Sequence, residues 1–472
     1  MIDLRRWQQT CHNLAIAHFT SGYYQFGCLA TPGAGKTIFA AATIKRLFDL
    51  DMFDYVICVA PSVTVKAGLK STFEQVLSLP MDGQFNAVGV SMTYQSLASL
   101  SPALLNRLRS YRLAIVLDEI HHCGGQDKAE ATAWADPLLA LTYQNEQAYT
   151  LSLSGTPWRS DRLPVTTLRY NALLSPQMHY CYGLKDALAD GVCRAPIVSV
   201  IDNDHWTVTT ENIGTTHHAS LESLLSQGDL RYEMVLENPL FVNHMLSLSV
   251  KELNKRRRRY ADAGGLVIAS SIAHVKYIQA ELESMTHESV CIITSEDPDS
   301  QDKLKRYRKS RQKWLVTVGM VTEGTDIPRL QVCCHLSRIC TELHFRQVLG
   351  RVLRCRGKHD ANTAVLLIPA QPDLVTFANR LQCEVPDAVV IERPKLTSTE
   401  AIGVSLSSIP QRPPVEHAPE RVSNENNVND KASEVNSPVI QAHLLSSTNT
   451  MSSSEVNVSA YGKYKEEVLR YV

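Results

Sequence analysis

The sequence predicts an α/β fold made of two parallel-sheet domains in tandem. Three observations carry that expectation. Short apolar runs alternate with helical patterns over residues 1–163, the same alternation returns over 241–395, and the composition breaks sharply near residue 395. Strands separated by helices pair in parallel, because the crossover helices cover both faces of the sheet. The segment 164–240 is less regular and reads as a connecting or accessory piece.

The elements follow in chain order. QFGCLA (25–30), YVICVA (55–60), NAVGVSM (86–92), LAIVLDE (113–119) and TLSLSG (150–155) read as buried strands, being short, apolar and mostly closed by Gly, Pro or a polar residue. TIFAAATIKRLFDL (37–50) carries the apolar period of a helix. GLKDALADGV (183–192) reads as helical, and DNDHWTVTTENIGTTHHAS (202–220) as a polar excursion. The second block offers GLVIAS (265–270), VCIITS (290–295), WLVTVG (314–319), VCCHLS (332–337) and TAVLLIP (363–369) as strands. From 396 to 472 Ser, Thr, Asn, Pro and Glu dominate, with no aromatic residue before 461. Such a segment buries too little apolar surface to offset its ordering entropy, so a mostly disordered tail is expected. YGKYKEEVLRYV (461–472) is expected as a short amphipathic helix, docking elsewhere or interrupted by truncation.

At 472 residues the chain has room for two or three domains. A composition 44% hydrophobic and 20% charged is that of an ordinary globular protein. The net charge of −1 advertises neither a nucleic-acid nor a membrane partner, so any such partner is to be sought in local patches. No apolar run reaches the roughly 18 residues of a membrane span, and the first twenty residues lack a signal-peptide core. The 12 cysteines are irregularly spaced. That fits reduced thiols and a cytoplasmic location better than a disulfide framework.

QFGCLA runs into TPGAGKT (31–37) and then into a helix. Strand, Gly-rich loop and helix in that order are the context of a phosphate-binding P-loop. Gly33 and Gly35 let backbone amides approach phosphate oxygens, and the helix N-terminus adds unpaired donors. Lys36 is expected on the β- and γ-phosphates, and Thr37 on the magnesium ion of ATP. Thr31, Gly33, Ala34, Gly35, Lys36 and Thr37 are thus the expected nucleotide contacts. Ala30 departs from the strict pattern, which places Gly there.

AIVLDEIHHCGG (114–125) ends the fourth strand. In a parallel sheet, ligands collect at the carboxyl ends of the strands, so these acids should meet the P-loop. Asp118, with Glu119 and Thr37, is expected to hold the magnesium, which prefers oxygen ligands. Glu119 is expected to orient or deprotonate the attacking water. A zinc site on His121, His122 and Cys123 needs further ligands, and no C-x-x-C or H-x-x-x-H pair lies nearby. His121 is expected to link the nucleotide site to its surroundings.

With these motifs the chain resembles the superfamily 2 DEAD/DEAH-box (DExH) helicases and translocases, in particular the branch of type III restriction-enzyme motor subunits and DNA-repair helicases. The resemblance covers about residues 3–370. ATPGAGKT is that superfamily's form of the P-loop, where Ala30 is usual. LRRWQ (4–8) resembles its adenine-reading segment, with Gln8 as the hydrogen-bonding residue. VAPSVTV (59–65) and MTYQSL (92–97) stand where members contact a strand backbone, here Pro61, Ser62, Tyr94 and Gln95. LSGTPWRSD (153–161) resembles the segment that couples hydrolysis to strand movement, here Ser154 and Thr156. VIASSIAHV (267–275) and VTVGMVTEGTDIPRLQV (316–332) resemble further motifs, with Ser270 and Thr322 on the nucleic acid and Gly324 and Asp326, beside Glu323, on the nucleotide. HFRQVLGRVLR (344–354) matches Q-x-x-G-R-x-x-R with Gln347, Gly350, Arg351 and Arg354.

The resemblance implies two RecA-like domains, ATP and Mg2+ in the cleft between them, and a polynucleotide across both, DNA rather than RNA. Arg351 and Arg354 are three residues apart and share a helix face. Planar guanidinium groups suit phosphate oxygens. Presented from the second domain, they would neutralise charge on the γ-phosphate, an effect worth about 10³–10⁵ in rate in related chemistry. The expected activity is an ATP-dependent helicase or translocase.

KRRRRY (255–260) and KLKRYRKSRQK (303–313), the latter including Arg306, are the densest basic segments. They read either as salt-sensitive phosphate contacts or as solvated helix faces. Cys333, Cys334, Cys340 and Cys355 match no common metal-ligand spacing. Cys333 and Cys334, adjacent in a strand, point to opposite faces. Two other readings stay open: a P-loop ATPase acting on protein or small molecules, and an ATP-gated DNA-binding subunit of a restriction, defence or repair complex that does not unwind. With no nuclease motif in a convincing context, protein partners are expected, with residues 396–472 as the docking segment.

Overall fold

The computed structural model describes residues 3–108, 110–122, 138, 141, 148–155, 169–170, 176–210, 214–226, 230–319, 327–357, 360, 363–384, 389–392, 456–460 and 462–471. The first lobe contains β1 (Gln25–Ala30), β2 (Tyr55–Ala60), β3 (Gly89–Thr93), β4 (Leu113–Leu117), β5 (Ala148–Ser154), the two-residue strands β6 (Arg169–Tyr170) and β7 (Pro176–Gln177), and β8 (Tyr180–Tyr182). Its main sheet has the order β3-β2-β4-β5-β1-β8 and is parallel throughout. β2 and β4 are apolar along almost their whole length because both faces of the sheet are covered. Ile57, Val59, Ile115 and Leu117 pack on one side with Tyr94 and Leu97. Val56, Cys58, Ala114 and Val116 pack on the other.

The second lobe contains β9 (Ala195–Asn203), β10 (Trp206–Thr210), β11 (Gly214–His218), β12 (Gly264–Ala269), β13 (Cys291–Ile293), β14 (Trp314–Val318), β15 (Leu330–His335), β16 (Thr363–Pro369), β17 (Val389–Glu392), β18 (Val456–Ala460) and β19 (Tyr464–Arg470). Its large sheet runs β13-β14-β12-β15-β16-β9-β19-β17. The first six are parallel, and β19 is antiparallel to both neighbours. The period-2 rule of strands divides its residues between two cores. Leu266, Ile268, Cys333, Leu366 and Ile368 face one, while Val267, Ala269, Cys334, Val365 and Leu367 face the other. The α/β class with tandem parallel sheets is thus borne out, and both lobes belong to one unit.

Three expectations are corrected. The strand Ala195–Asn203 falls in the segment read as a connector, yet it pairs with β16 over seven residues as an integral part of the second sheet. The polar excursion at 202–220 contains an antiparallel hairpin, β10 with β11. Its threonines favour extended backbone, and Trp206 anchors it against Phe241 at a centroid distance of 5.4 Å. The expected terminal helix is a strand: YKEEVLR pairs with β9, burying Val468 and Leu469 on opposite faces of the sheet. Once β9 offers an edge, its ladder satisfies the backbone of β19 and its alternating side chains find both faces covered. β18 completes the hairpin as a third strand. The described parts of 456–471 are therefore built into the second lobe.

Candidate active site

β1, β5 and β4 are adjacent in the first sheet, and all three end at the same edge. They deliver the P-loop, Ser154–Gly155 and Asp118–Glu119 to one place. The loop's bend rests on Gly33 at φ 83° and Gly35 at φ 97°, a region that disfavours side chains. Two residues of the first helix, Arg6–Thr20, and its N-cap Arg5 hold the loop from outside. Arg5 Nη1 donates to Ala34 O at 2.9 Å, Trp7 Nε1 to the same oxygen at 3.2 Å, and Gln8 Nε2 to Gly35 O at 2.8 Å. Trp7 in turn stacks on Tyr182, centroids 4.8 Å apart.

Lys36 opens the helix Lys36–Asp49 and is largely buried. Its ammonium group donates to Ala30 O at 3.1 Å and lies 3.2 Å from Glu119 Oε1. The other oxygen of Glu119 accepts the Gly155 N–H at 3.1 Å. Glu119 sits at φ 48°, a left-handed conformation costing about 1–2 kcal/mol for a residue with a side chain. His121 Nδ1 lies 3.0 Å from Ser154 Oγ and 3.5 Å from Glu119 Oε2. The carboxylate is thereby wired to the strand that carries Ser154. Beneath it, burial and then the charge of Asp118 push the Cys58 thiol well above its ordinary pKa, so it stays protonated.

A cavity of about 480 Å³ opens over this edge. Gly33, Gly35, Lys36, Thr37, Pro61, Asp118 and Glu119 line it from the first lobe; Gln347, Gly350, Arg351, Arg354 and Cys355 line it from the second. Oxygens of Thr37, Asp118 and Glu119 form a hard donor set that fits Mg2+. The second-lobe residues ride on the helix Glu342–Val352 and the turn after it. Thr341 caps that helix by accepting the His344 N–H at 3.3 Å. Glu342 pins it to its neighbour through Arg380 at 2.7 Å. Contact across the seam is close: a Cβ on Gly350 would lie 2.5 Å from Pro32 Cβ, and one on Gly33 would lie 3.1 Å from Arg354 Cγ.

The connector between the lobes is tied at both ends to this site. Thr31 N donates to Tyr182 O at 3.0 Å, and Arg194 N donates to Leu353 O at 2.8 Å. Cys193 forms a backbone bridge with Arg354. The fully buried Arg194 guanidinium donates to Leu330 O, Val352 O and Pro328 O, and pairs with Asp360 at 2.7 Å. Burial lowers its pKa, and Asp360 opposes that shift.

Of the described residues expected at the nucleotide, Gln8, Thr31 and Ala34 do not line the cavity, and those expected on a nucleic-acid strand, Pro61 apart, have surroundings of their own. Gln8 is buried, its Oε1 accepting the Arg5 N–H at 2.8 Å and its amide held by Gly35; Arg5 stands at the cavity wall instead. Tyr94 is buried and donates to Asp118 O at 2.9 Å, which gives it a role in holding the acid strand. Ser62 caps the helix Val63–Leu77, accepting the Val65 N–H at 3.4 Å. Gln95 and Arg306 are exposed. Ser270 is half-buried, its hydroxyl 2.8 Å from His274 Nδ1. Cys123, Thr156, Thr322, Glu323, Gly324 and Asp326 lie outside the described residues. Arg5 and Arg194 were missed in the sequence. Arg5 sits inside the quoted LRRWQ, but nothing in that string distinguishes it from Gln8. Arg194 has no motif, and only its fold-dependent burial marks it.

Residues 1–159 match the family described as type III restriction enzyme, res subunit. An uncharacterized protein of Mycobacterium leprae (strain TN) is 30% identical over 399 residues, covering 81% of this chain and 64% of its own length. One of Mycobacterium tuberculosis (strain ATCC 25618 / H37Rv) is 29% identical with the same coverage. The chain thus spans 64% of the length of these relatives, less than two thirds. Among solved structures, the fragment of a putative HsdR subunit of a type I restriction enzyme from Vibrio vulnificus YJ016 aligns with TM-score 0.54 at 17% identity, covering 79% of this chain and 65% of that one. S. cerevisiae Dbp5 bound to RNA and ADP BeF3 aligns with TM-score 0.51 at 12% identity, covering 80% and 87%. The ATP-dependent type ISP restriction-modification enzyme LlaBIII bound to DNA aligns with TM-score 0.52 at 16% identity, covering 81% and 30%. Residues 1–159 are therefore similar to the type III restriction enzyme res subunit, and the chain as a whole shares the tandem α/β fold of these solved structures.

Proposed function

We propose that this chain is an ATP-dependent nucleic-acid translocase or helicase acting on DNA. One observation carries the reading: Lys36 and Glu119 of the first lobe and Arg351 and Arg354 of the second line a single cavity. The P-loop amides and Lys36 grip the triphosphate. Glu119 takes a proton from water as the water oxygen bonds to the γ-phosphorus; the bond to the bridging oxygen breaks and ADP leaves. Magnesium, when bound, neutralises the β- and γ-phosphate oxygens. Arg351 and Arg354 meet the charge that develops on the transferred group. Because these cations come from the other lobe, hydrolysis is tied to closure of the seam, and a strand lying over both lobes is shifted as it opens. Pro61, Gln95, Ser270 and Thr322 are assigned to that strand.

Ten of the cysteines are free thiols, which supports a reducing, cytoplasmic setting. No described helix is long and apolar enough to cross a membrane. Protein partners are proposed to engage residues 396–455.

The test is steady-state ATPase with single-stranded DNA, duplex, fork and RNA in parallel, with Lys36→Ala as the blank. The expected result is turnover stimulated by DNA and absent from the blank. Turnover indifferent to every polynucleotide would favour an ATPase acting on other substrates. DNA stimulation without strand separation or movement would leave an ATP-gated binding subunit.

A further inference from the structure

The two basic runs of the sequence converge in space. Arg257 Nη2 donates to Arg311 O at 3.3 Å, joining the helix Pro239–Arg257 to the loop after the helix Ser300–Lys309. At this junction a basin of about 420 Å³ is lined by Arg308, Lys309, Arg311, Arg329, Arg356 and Asp262. Five cations face one carboxylate. Arg329 is the floor: it is buried, lies 3.9 Å over the Tyr307 ring, and donates to Tyr307 O and Gln312 O at 3.0 and 2.9 Å. Arg356 pairs with Asp262. Lys309 and Arg311 are exposed and form no ion pair among the described residues.

The basin's place in the fold separates it from the strand path over the seam. Asp262, Arg311 and Arg329 immediately precede β12, β14 and β15, so the basin lies at the amino ends of these parallel strands. Ser270 follows the carboxyl end of β12, at the opposite edge. The basin also adjoins the nucleotide cavity through the chain, since Arg354 and Cys355 line the cavity and Arg356 the basin.

We propose that this basin is a second nucleic-acid site, which takes the phosphodiester backbone of a duplex arm outside the seam. The inference rests on the polynucleotide reading above and extends it to a new surface. Four of the five cations are arginines, whose planar forks match phosphate oxygens. The lining contains no aromatic residue, and Ala261 and Pro328 are its apolar members. A protein partner would need a buried aromatic or apolar anchor there. Nothing in the basin reads base edges, so binding is independent of sequence and sensitive to salt.

The experiment uses the full chain and a labelled duplex, with binding measured by fluorescence anisotropy across a salt series. Lys309→Glu combined with Arg311→Glu is expected to weaken binding about tenfold or more at low salt. It should flatten the log–log salt slope by about two, since each lost phosphate contact removes about 0.9. Lys309→Arg with Arg311→Lys should bind as wild type, and so should Lys185→Glu with Lys251→Glu, which reverses two charges outside the basin. An unchanged slope in the first variant, or an equal loss in the Lys185 and Lys251 pair, overturns the site and leaves the motor reading standing. Polyglutamate competing as well as duplex at equal charge also overturns the assignment to nucleic acid. A wild-type chain that binds no duplex overturns the site, and one that binds neither duplex nor single-stranded DNA overturns both readings.

Discussion

Glu119 and Lys36 form an ion pair of 3.2 Å within the nucleotide cavity, while the second carboxylate oxygen of Glu119 is held by the backbone of Gly155. The acid is thus positioned from β5 as well as from its own strand. Glu119→Gln keeps the shape and removes the base. It is expected to bind ATP normally and to hydrolyse it about 10²–10⁴ times more slowly, the usual worth of a general base. Single-turnover phosphate release checks this, and wild-type rates would assign the proton elsewhere.

Arg351→Ala and Arg354→Ala remove the cations offered by the second lobe. Each is expected to cut turnover by about 10³ or more while nucleotide affinity, read by a fluorescent analogue, changes far less. A loss confined to affinity would make them ground-state contacts.

Gly350 allows the lobes to touch, since a Cβ there would collide with Pro32. Gly350→Val is expected to hold the seam apart and lower kcat about 10²-fold, the scale of a misplacement near 1 Å. Thermal melting should stay near wild type, because the clash lies between lobes. Undiminished kcat would show that this contact is not needed for hydrolysis.

His274 titrates against the fold. Burial lowers its pKa from 6.5 to about 4, and its Nδ1 lies 3.2 Å from Ser270 N, accepting that hydrogen. Because the folded value is depressed, its contribution is full above pH 6.5 and is lost as pH falls toward about 4. The loss amounts to about 3 kcal/mol at most. Denaturant midpoints measured between pH 7 and pH 4 are expected to fall, and His274→Leu should flatten part of that limb. Parallel curves would remove His274 as a source.

Leu469 is 2% exposed in β19. Leu469→Ala is expected to destabilise the second lobe by about 2–5 kcal/mol, read by chemical denaturation. A negligible change would mean that β19 is dispensable to that lobe.

The strands β1 and β16 are legible in the sequence to the residue, because a strand buried on both faces is an uninterrupted apolar run. The P-loop and the acids after β4 are legible for a related reason: the chemistry is packed into a few consecutive residues. What escapes is set by partners distant in sequence. β19 looks like an amphipathic helix until β9, some 260 residues earlier, supplies its ladder. Trp206 sits among threonines and histidines and reveals its burial only when Phe241 meets it. Gln8 and Arg5 are both polar residues beside the loop; which one faces the cavity depends on the turn of the helix Arg6–Thr20 against the P-loop. Arg194 is recognisable only from the three carbonyls, two at or just before the start of β15 and one at the end of the helix Glu342–Val352, that close around it.

The anchoring of the connector at Thr31 and Leu353 has a mechanical consequence. Its short helix, Leu184–Ala189, contributes about 7.5 Å and the flanking steps about 3.4 Å each, so the tether from Tyr182 to Cys193 reaches at most about 28 Å while that helix is folded. Any swing of the two halves is therefore leashed at its pivot, next to the phosphate loop and the second arginine. The halves can tilt about this leash, but wide separation requires the connector to unwind or one of its moorings to slip.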